Sequence, residues 1–216
     1  MTNTQRFITI EGIDGSGKST FIPKVKEMLE SLGAEVVLTR EPGGTPFAEE
    51  LRESILNKPM DKMTEVLLAF AARNEHIKDV IRPALDEGKF VVSDRFTDST
   101  LAYQGYGHGV DIDYIQTLSK MVQQEIIPEL TLIFTVPVEV SKQRLAKTGK
   151  TPDKFEGQKE EFFLRAIEGY EAVAKTDPKR YKLIDSSQGI EYTAQQVNLI
   201  MKEYLEAFQQ KKRIKP

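Results

Sequence analysis

The chain contains no cysteine among its 216 residues, which excludes disulfides, thiolate catalysis and a cysteine-ligated metal site. Histidine is nearly as scarce, with two residues, so a histidine-rich metal site is not available either. No apolar run approaches the roughly 18 residues of a membrane span, and the N-terminus lacks the cationic, apolar pattern of a secretory signal. The formal net charge of -3 leaves no large basic footprint for nucleic acid. These absences predict a cytoplasmic protein that binds neither membrane nor nucleic acid.

A glycine-rich motif, G-x-x-x-x-G-K-[ST], follows directly after the apolar run Phe7–Ile10. Its glycines let successive backbone N–H groups point at phosphate oxygens, and the helix that follows adds the positive end of its dipole. Lys18 then reaches the β- and γ-phosphates, and the Ser19 hydroxyl faces Mg²⁺. The motif predicts a phosphate loop that binds ATP. The predicted contacts are Gly12, Ile13, Asp14, Gly15, Ser16, Gly17, Lys18, Ser19 and Thr20.

Short apolar runs alternate with helical patterns along the whole chain, without an internal repeat or linker. Together with the phosphate loop, this alternation predicts an α/β P-loop NTPase fold, with a five-stranded parallel sheet flanked by helices. We expect a single domain over residues 1–216. The stretch Lys147–Lys154 is polar and basic without an apolar face, which predicts a mobile lid at about residues 144–156. The predicted strands cover residues 7–10, 35–39, 90–95, 130–136 and 181–184.

Charged residues lie at the ends of two further strands, where ligands bind in open α/β sheets. Arg40 and Pro42 follow the second strand and are predicted substrate contacts. Asp94 and Arg95 end the third strand. Asp94 is predicted to hold Mg²⁺ or its waters, and Arg95 to bridge two anionic phosphates.

Arg73 lies inside the apolar stripe of a helix predicted from about residue 62 to residue 87, which Pro83 is expected to split or bend. A charge at such a position requires a partner. A bound phosphate and an internal acidic residue are both open from the pattern alone. The segment 97–109 adds hydrogen-bonding and aromatic side chains suited to recognition of a base. The candidates are Ser99, Thr100, Tyr103 and Gln104.

A GTP-dependent switch protein would share the phosphate loop, but it also needs Asn-Lys-x-Asp and a second Asp-x-x-Gly. The stretch Asn57–Met60 lacks the aspartate, and no Asp-x-x-Gly occurs outside the loop. Arginines recur at separate strand ends and helices around one site, which indicates a small kinase with an anionic acceptor. A phosphate acceptor is already a nucleophile near neutral pH, so no general base is required.

These residues resemble the thymidylate kinase family, whose members phosphorylate dTMP with ATP. The resemblance rests on Glu11–Thr20, Thr39–Thr45, Phe70–Arg73 and Asp94–Gly105. It implies that Asp14 contacts the 3′-hydroxyl and the Mg²⁺ region, and that Arg73 and Arg95 hold the acceptor phosphate or its neighbourhood. It also implies that Thr100 and Gln104 lie near the base and sugar, with Tyr103 where a ribose 2′-hydroxyl would go.

The chain departs from the family pattern at two places. The family stacks thymine on a phenylalanine four residues before the helix arginine, where this chain has Ala69, so we expect Phe70 to supply the ring. Bacterial members carry a catalytic arginine in a basic lid, and this chain has Lys154 at that place. Lys150 and Lys154 are therefore the candidate lid cations, and Arg144 at the hinge is expected near ATP.

The predicted reaction is in-line transfer of the γ-phosphoryl group from ATP to dTMP, giving dTDP and ADP for dTTP synthesis, with Mg²⁺ as cofactor. The predicted catalytic residues are Lys18, Arg95, Asp14 and Lys154. A kinase for another nucleoside monophosphate or small anionic metabolite remains an alternative, as does a nucleotide-binding regulator without turnover. The resemblance also implies a homodimer.

Overall fold

Five parallel strands form one sheet in the order β2-β3-β1-β4-β5 in the computed structural model, which describes residues 6–149 and 153–214. The central strands β1, β3 and β4 are almost completely buried, because helices cover both faces of the sheet. The edge strands β2 and β5 are only partly buried. The predicted sheet is confirmed. The strands are β1 Phe7–Gly12, β2 Val36–Arg40, β3 Phe90–Asp94, β4 Leu130–Thr135 and β5 Tyr181–Asp185.

Helices flank this sheet on both faces. One core layer joins β1, β3 and β4 to the apolar faces of α1 and α9, and a second lies under α8 on the other face. None of the helices within the described ranges is both long enough and apolar enough to cross a bilayer. The helices are α1 Lys18–Glu30, α2 Pro46–Asn57, α3 Lys62–His76, α4 Arg82–Asp86, α5 Thr97–Thr100, α6 Ile112–Gln123, α7 Val138–Ala146, α8 Glu160–Thr176 and α9 Ile190–Ile214.

The single helix predicted from about residue 62 to residue 87 is interrupted. The α-helical hydrogen bonding of α3 gives way to a π-helical turn at Ile77–Ile81 before α4 begins. Pro83 stands in the first turn of α4. Because its ring nitrogen cannot donate to the carbonyl four residues earlier and the ring crowds that carbonyl, the regular ladder cannot continue through this point.

The strand order brings the predicted site residues to one edge of the sheet. In the parallel ladders Ile10 pairs with Asp94, and Arg40 pairs with the same Asp94 from the other side. Gly12 pairs with Phe134 of β4. The carboxyl ends of four strands therefore meet around the start of the phosphate loop, which is where an open α/β sheet forms its ligand crevice.

Candidate active site

The phosphate loop between β1 and α1 is closely packed against its neighbours. Gly12 and Gly15 have φ angles of 136° and 75°, and a Cβ on either would lie within 2.4 and 2.6 Å of the Phe134 and Ser141 carbonyl oxygens. Only glycine fits these positions. The Ser141 hydroxyl also donates to the Asp14 carbonyl oxygen at 2.6 Å. The loop shape is thus fixed by contacts from β4 and α7.

Lys18 opens α1 and is 7% exposed. Its Nζ lies 3.5 Å from Asp94 Oδ1 and 3.9 Å from Asp14 Oδ1. Burial lowers the pKa of Lys18, an effect that Arg95 reinforces and the two aspartates oppose. Burial by itself would raise the pKa of Asp14, but Arg95 and Lys18 lower it to about 2. Asp14 is therefore a carboxylate at neutral pH, able to accept hydrogen bonds from a ligand.

Arg95 adopts a left-handed backbone conformation, with φ of 70°, which is uncommon for a residue with a side chain. Its Nη1 donates to the Gly12 carbonyl oxygen at 2.9 Å, and its Nη2 to Asp14 Oδ1 at 2.6 Å. The guanidinium carbon also lies 4.9 Å from the centre of the Tyr103 ring. Although burial opposes it, Asp14 raises the pKa of Arg95. Arg95 is a fixed cation that joins the phosphate loop to the space beside it.

That space is an open cavity with about 590 Å³ of empty space, counted together with the solvent at its mouth. Of the ten predicted substrate contacts, all line the cavity except Arg40 and Phe70. Asp14 of the phosphate loop lines the cavity, as does Arg95, which donates hydrogen bonds to the loop. A ligand in the cavity would therefore lie next to phosphates bound in the loop. The lining residues are Asp14, Glu41, Pro42, Arg52, Ile55, Leu56, Ala69, Arg73, Arg95, Phe96, Ser99, Thr100, Tyr103, Gln104, Asp153 and Phe155.

Arg73 projects from α3 into the cavity wall and is 3% exposed. Its Nε donates to Glu41 Oε2 at 2.7 Å, and Nη2 donates to the Thr100 hydroxyl at 3.1 Å. The second Glu41 oxygen lies 2.9 Å from His76 Nδ1. Arg73 Nη1 is buried and has no hydrogen-bond partner within the described residues. The internal acidic partner is therefore Glu41, and one donor remains for a ligand.

Arg52 of α2 also lines the cavity, although no sequence motif marks it as a ligand contact. Its Nη1 donates to the Pro42 carbonyl oxygen at 2.9 Å. Burial lowers the pKa of Arg52, and the nearby Arg40 and Arg95 add to the effect. Such an unfavourable setting for a cation is relieved when an anion binds among the arginines. From the sequence alone, Arg52 is indistinguishable from the solvent-exposed charges of an amphipathic helix.

The polar segment after β3 supplies hydroxyl and amide groups to the cavity. Ser99 Oγ donates to Glu11 Oε2 at 2.5 Å, and Tyr103 OH donates to Asp14 Oδ2 at 3.0 Å. Burial raises the pKa of Tyr103, which therefore stays a neutral donor. Burial also raises the pKa of Glu11, to about 8.

The aromatic residue at the cavity is not the expected one. Phe70 is 2% exposed and packs with Val66 and Ile115 in a separate apolar cluster, while Ala69 lines the cavity. Successive helix residues point about 100° apart, so the ring one position later leaves the cavity face. The expectation that Phe70 faces the ligand is not met. Phe155, on the segment between α7 and α8, lines the cavity instead, with its ring 5.6 Å from that of Tyr103.

Two predicted cations also lie elsewhere. Arg40 was expected to contact the substrate, but it does not line the cavity. Its largely exposed side chain forms an ion pair with Glu49 of α2 at 2.9 Å instead. Lys154 Nζ lies 2.5 Å from Glu65 Oε2 of α3, and its backbone N–H donates to the Leu56 carbonyl oxygen at 3.3 Å. Lys154 is therefore engaged at α3 and not at the phosphate loop.

Arg144 and Lys150 are the remaining predicted lid cations. Arg144 Nη1 donates to the Gly15 carbonyl oxygen at 3.3 Å, and its Nη2 donates to that of Ser186 at 2.6 Å. Arg144 thus lies against the phosphate loop, on the side expected for ATP. Lys150 lies outside the described residues.

The residues predicted to hold Mg²⁺ fit that ion. Ser19 is exposed at the start of α1. Asp94 Oδ1 is shielded from solvent and accepts no hydrogen bond from the described residues. Both groups offer oxygen, the donor that Mg²⁺ prefers, and Mg²⁺ commonly takes only one or two protein ligands beside substrate phosphates.

The arrangement defines the class of protein. A phosphate loop for the donor nucleotide adjoins an arginine-lined cavity that can take a second, anionic nucleotide, and Asp14 and Arg95 touch both. On a five-stranded parallel sheet, this is a P-loop nucleoside monophosphate kinase, an ATP-dependent phosphotransferase.

Comparison with known proteins identifies the family. The thymidylate kinase family model matches residues 10–197. Thymidylate kinase of Methylobacillus flagellatus is 51% identical over 199 residues, 92% of this chain and 98% of the relative. That of Cupriavidus metallidurans is 50% identical over 186 residues, 86% of this chain and 92% of the relative. The crystal structure of thymidylate kinase from Ehrlichia chaffeensis superposes with a TM-score of 0.71 at 34% identity, covering 94% of this chain and 97% of that one. The chain belongs to the thymidylate kinase family.

Proposed function

We propose that the chain transfers the γ-phosphoryl group of ATP to the phosphate of dTMP, giving dTDP and ADP. The observation that carries this proposal is the cavity beside the phosphate loop, joined to it by Asp14 and Arg95 and containing an unpaired, buried arginine donor on Arg73. A nucleotide acceptor needs such a site because its phosphate must reach the donor while its base is held away from water.

The acceptor lies with its phosphate near Arg95 and Arg52 and its base toward Gln104. The guanidiniums supply charge-assisted hydrogen bonds to the phosphate oxygens. Asp14, ionised at neutral pH, accepts from the 3′-hydroxyl, which favours a deoxynucleotide with Tyr103 filling the space beside the sugar. Phe155 forms the aromatic wall that Ala69 leaves out.

Charge stabilisation accounts for most of the catalysis. Lys18 and the loop N–H groups neutralise the charge that builds on the transferred group, and Arg95 aligns the attacking phosphate oxygen. Ser19 and Asp94 would hold Mg²⁺, which when bound supplies further positive charge at the donor phosphates. The acceptor oxygen already carries negative charge, so the residues need not remove a proton from it.

The lid cations complete the proposal. Arg144 lines the ATP side of the phosphate loop, and Lys154 and Lys150 contribute charge when the lid closes. Lys154 can do so only after it leaves Glu65, so Lys154→Met is expected to lower kcat with little change in the KM for dTMP. A rise in the KM for ATP without a change in kcat would assign Lys154 to binding.

A homodimer is part of the same proposal, with the interface on α3 and α6. These helices pack together and expose Leu67, Tyr114 and Met121 on their outer surface. Met121→Glu should give a monomer in light scattering, whereas Leu199→Glu, at an exposed position on α9, should not. An unchanged mass for Met121→Glu would reject this interface. The lack of cysteine supports a cytoplasmic location.

The decisive experiment measures ADP release with Mg-ATP and, in turn, dTMP, dUMP, dGMP, CMP and AMP. A strong preference for dTMP is the expected result. Comparable rates with another acceptor would retain the phosphoryl transfer but reject the acceptor, and no release with any of them would favour a nucleotide-binding regulator.

A further inference from the structure

Glu65 is a buried carboxylate for which phosphoryl transfer has no use. It lies on α3 and is 2% exposed. Its Oε1 accepts a hydrogen bond from Gln104 Nε2 at 2.7 Å and lies 3.5 Å from His108 Nε2. Its Oε2 lies 2.5 Å from Lys154 Nζ. A buried carboxylate with three polar neighbours is costly to assemble, and one of those neighbours, Gln104, lines the acceptor cavity.

The contact with Glu65 fixes the orientation of the Gln104 amide. A carboxylate can only accept hydrogen bonds, so the amide must turn its NH₂ group toward Glu65. While the acceptor binds, before Lys154 leaves Glu65, their ion pair supports this acceptor-only state because it compensates the buried negative charge. Gln104 Oε1 has no hydrogen-bond partner within the described residues, and the whole side chain is 6% exposed. One face of the amide is thus held by the protein, and its oxygen remains for a ligand.

An oriented amide distinguishes pyrimidine bases by their hydrogen-bonding edge. Thymine presents the N3–H donor beside the O4 acceptor, and it pairs with an amide that offers its oxygen to N3–H and its second amide hydrogen to O4. Cytosine presents the opposite pattern, an N3 acceptor beside an N4 donor. It would pair only with the amide turned by 180°, which would place the amide oxygen against Glu65.

We propose that Glu65 is a positioning residue that makes this kinase select thymine over cytosine, by holding the Gln104 amide in the one orientation that matches N3–H and O4. The inference rests on the proposed function, since it assumes that the base of the acceptor lies at Gln104. Neither Glu65 nor Lys154 needs to touch the substrate for the selection to operate.

The test compares kcat/KM for dTMP with that for dCMP in Glu65→Gln. A glutamine at position 65 accepts or donates, so the Gln104 amide is free to turn, and the preference for dTMP should fall about tenfold or more. The loss should appear in the KM for dTMP, with the KM for ATP unchanged. Glu53→Gln, which removes an exposed glutamate on α2, is the matched control and should keep the preference.

A double-mutant cycle with Gln104→Ala separates positioning from a general structural effect. Without the Gln104 amide, Glu65→Gln should not change the dTMP to dCMP ratio any further. The inference is overturned if Glu65→Gln keeps the wild-type ratio, or if it lowers the ratio equally in the Gln104→Ala background. The ratio is measured within one preparation, so it does not depend on the fraction of folded enzyme.

A measurement on the unmutated protein covers the case in which Glu65→Gln does not fold. The side-chain amide of Gln104, assigned by its disappearance in Gln104→Ala, should show slowed hydrogen exchange in nuclear magnetic resonance spectra, because one N–H is donated to a buried carboxylate. Rapid exchange would overturn the inference. Absence of dTMP kinase activity in the unmutated protein would instead refute the proposed function.

Discussion

Removal of the Arg52 guanidinium tests the acceptor site, because it should weaken the binding of dTMP while leaving the stability of the fold almost unchanged. Arg52 lines the cavity and makes one hydrogen bond, to the Pro42 carbonyl oxygen. A charge-assisted hydrogen bond to phosphate contributes about 1.5–3 kcal/mol, and each 1.4 kcal/mol is about tenfold in an equilibrium. We therefore expect Arg52→Met to lower kcat/KM for dTMP by roughly 10- to 150-fold, through the KM for dTMP.

Stability should change little in the same variant. The pKa of Arg52 is lowered in the folded protein, first by burial and then by Arg40 and Arg95, so below that pKa the charged side chain opposes folding. Methionine removes this penalty together with the hydrogen bond of about 1 kcal/mol. The free energy of unfolding in urea should stay within about 1 kcal/mol of the original.

Arg82→Met is the matched control, because Arg82 pairs with Glu125 at the surface and does not line the cavity. It should leave the KM for dTMP unchanged and alter stability by less than about 1 kcal/mol. An unchanged KM for dTMP in Arg52→Met, or an equal rise in the KM for ATP, would show that Arg52 does not hold the acceptor phosphate.

Three further outcomes follow from the site. Phe155→Ala should raise the KM for dTMP by about tenfold through loss of the aromatic wall, with Phe155→Leu intermediate; equal constants in both would remove the ring from the site. Tyr103→Phe removes the hydroxyl that donates to Asp14 and should lower kcat/KM by about tenfold, measured by coupled ADP release; full activity would make that hydroxyl dispensable. Folding takes up a proton on Glu11, since its pKa rises from 4.5 to about 8, so the contribution of Glu11 to stability is greatest below pH 4.5 and falls as the pH rises to 8, by up to about 1.4 kcal/mol per pH unit. Glu11→Gln should flatten that slope in urea denaturation, and a slope as steep as before would place the proton elsewhere.

The sequence predicted the sheet and the phosphate loop because both depend on local patterns. Apolar runs mark the strands, and the glycines, Lys18 and Ser19 stand at fixed spacings whatever the rest of the chain does. The end of β3 was predicted for the same reason, since a buried strand that stops at Asp94 and Arg95 places them at the ligand edge of the sheet.

The cavity wall could not be predicted as well, because it depends on helix rotation and on distant partners. A rotation of one residue moves Phe70 out of the cavity and Ala69 into it. Phe155 replaces the ring from a segment 85 positions beyond Phe70 in the chain. Arg52 resembles an ordinary surface charge until α2 is placed over the site. No local signal distinguishes these residues, whose roles come from packing between elements.

The position of Phe155 has a consequence for the timing of turnover. Its ring lines the cavity from the segment between α7 and α8, and the same segment is held to α3 through Lys154. Because Phe155 directly follows Lys154 in the chain, the movement that takes Lys154 from Glu65 to the phosphate loop also moves this ring, so the speed of that movement sets an upper limit on how fast the enzyme can cycle.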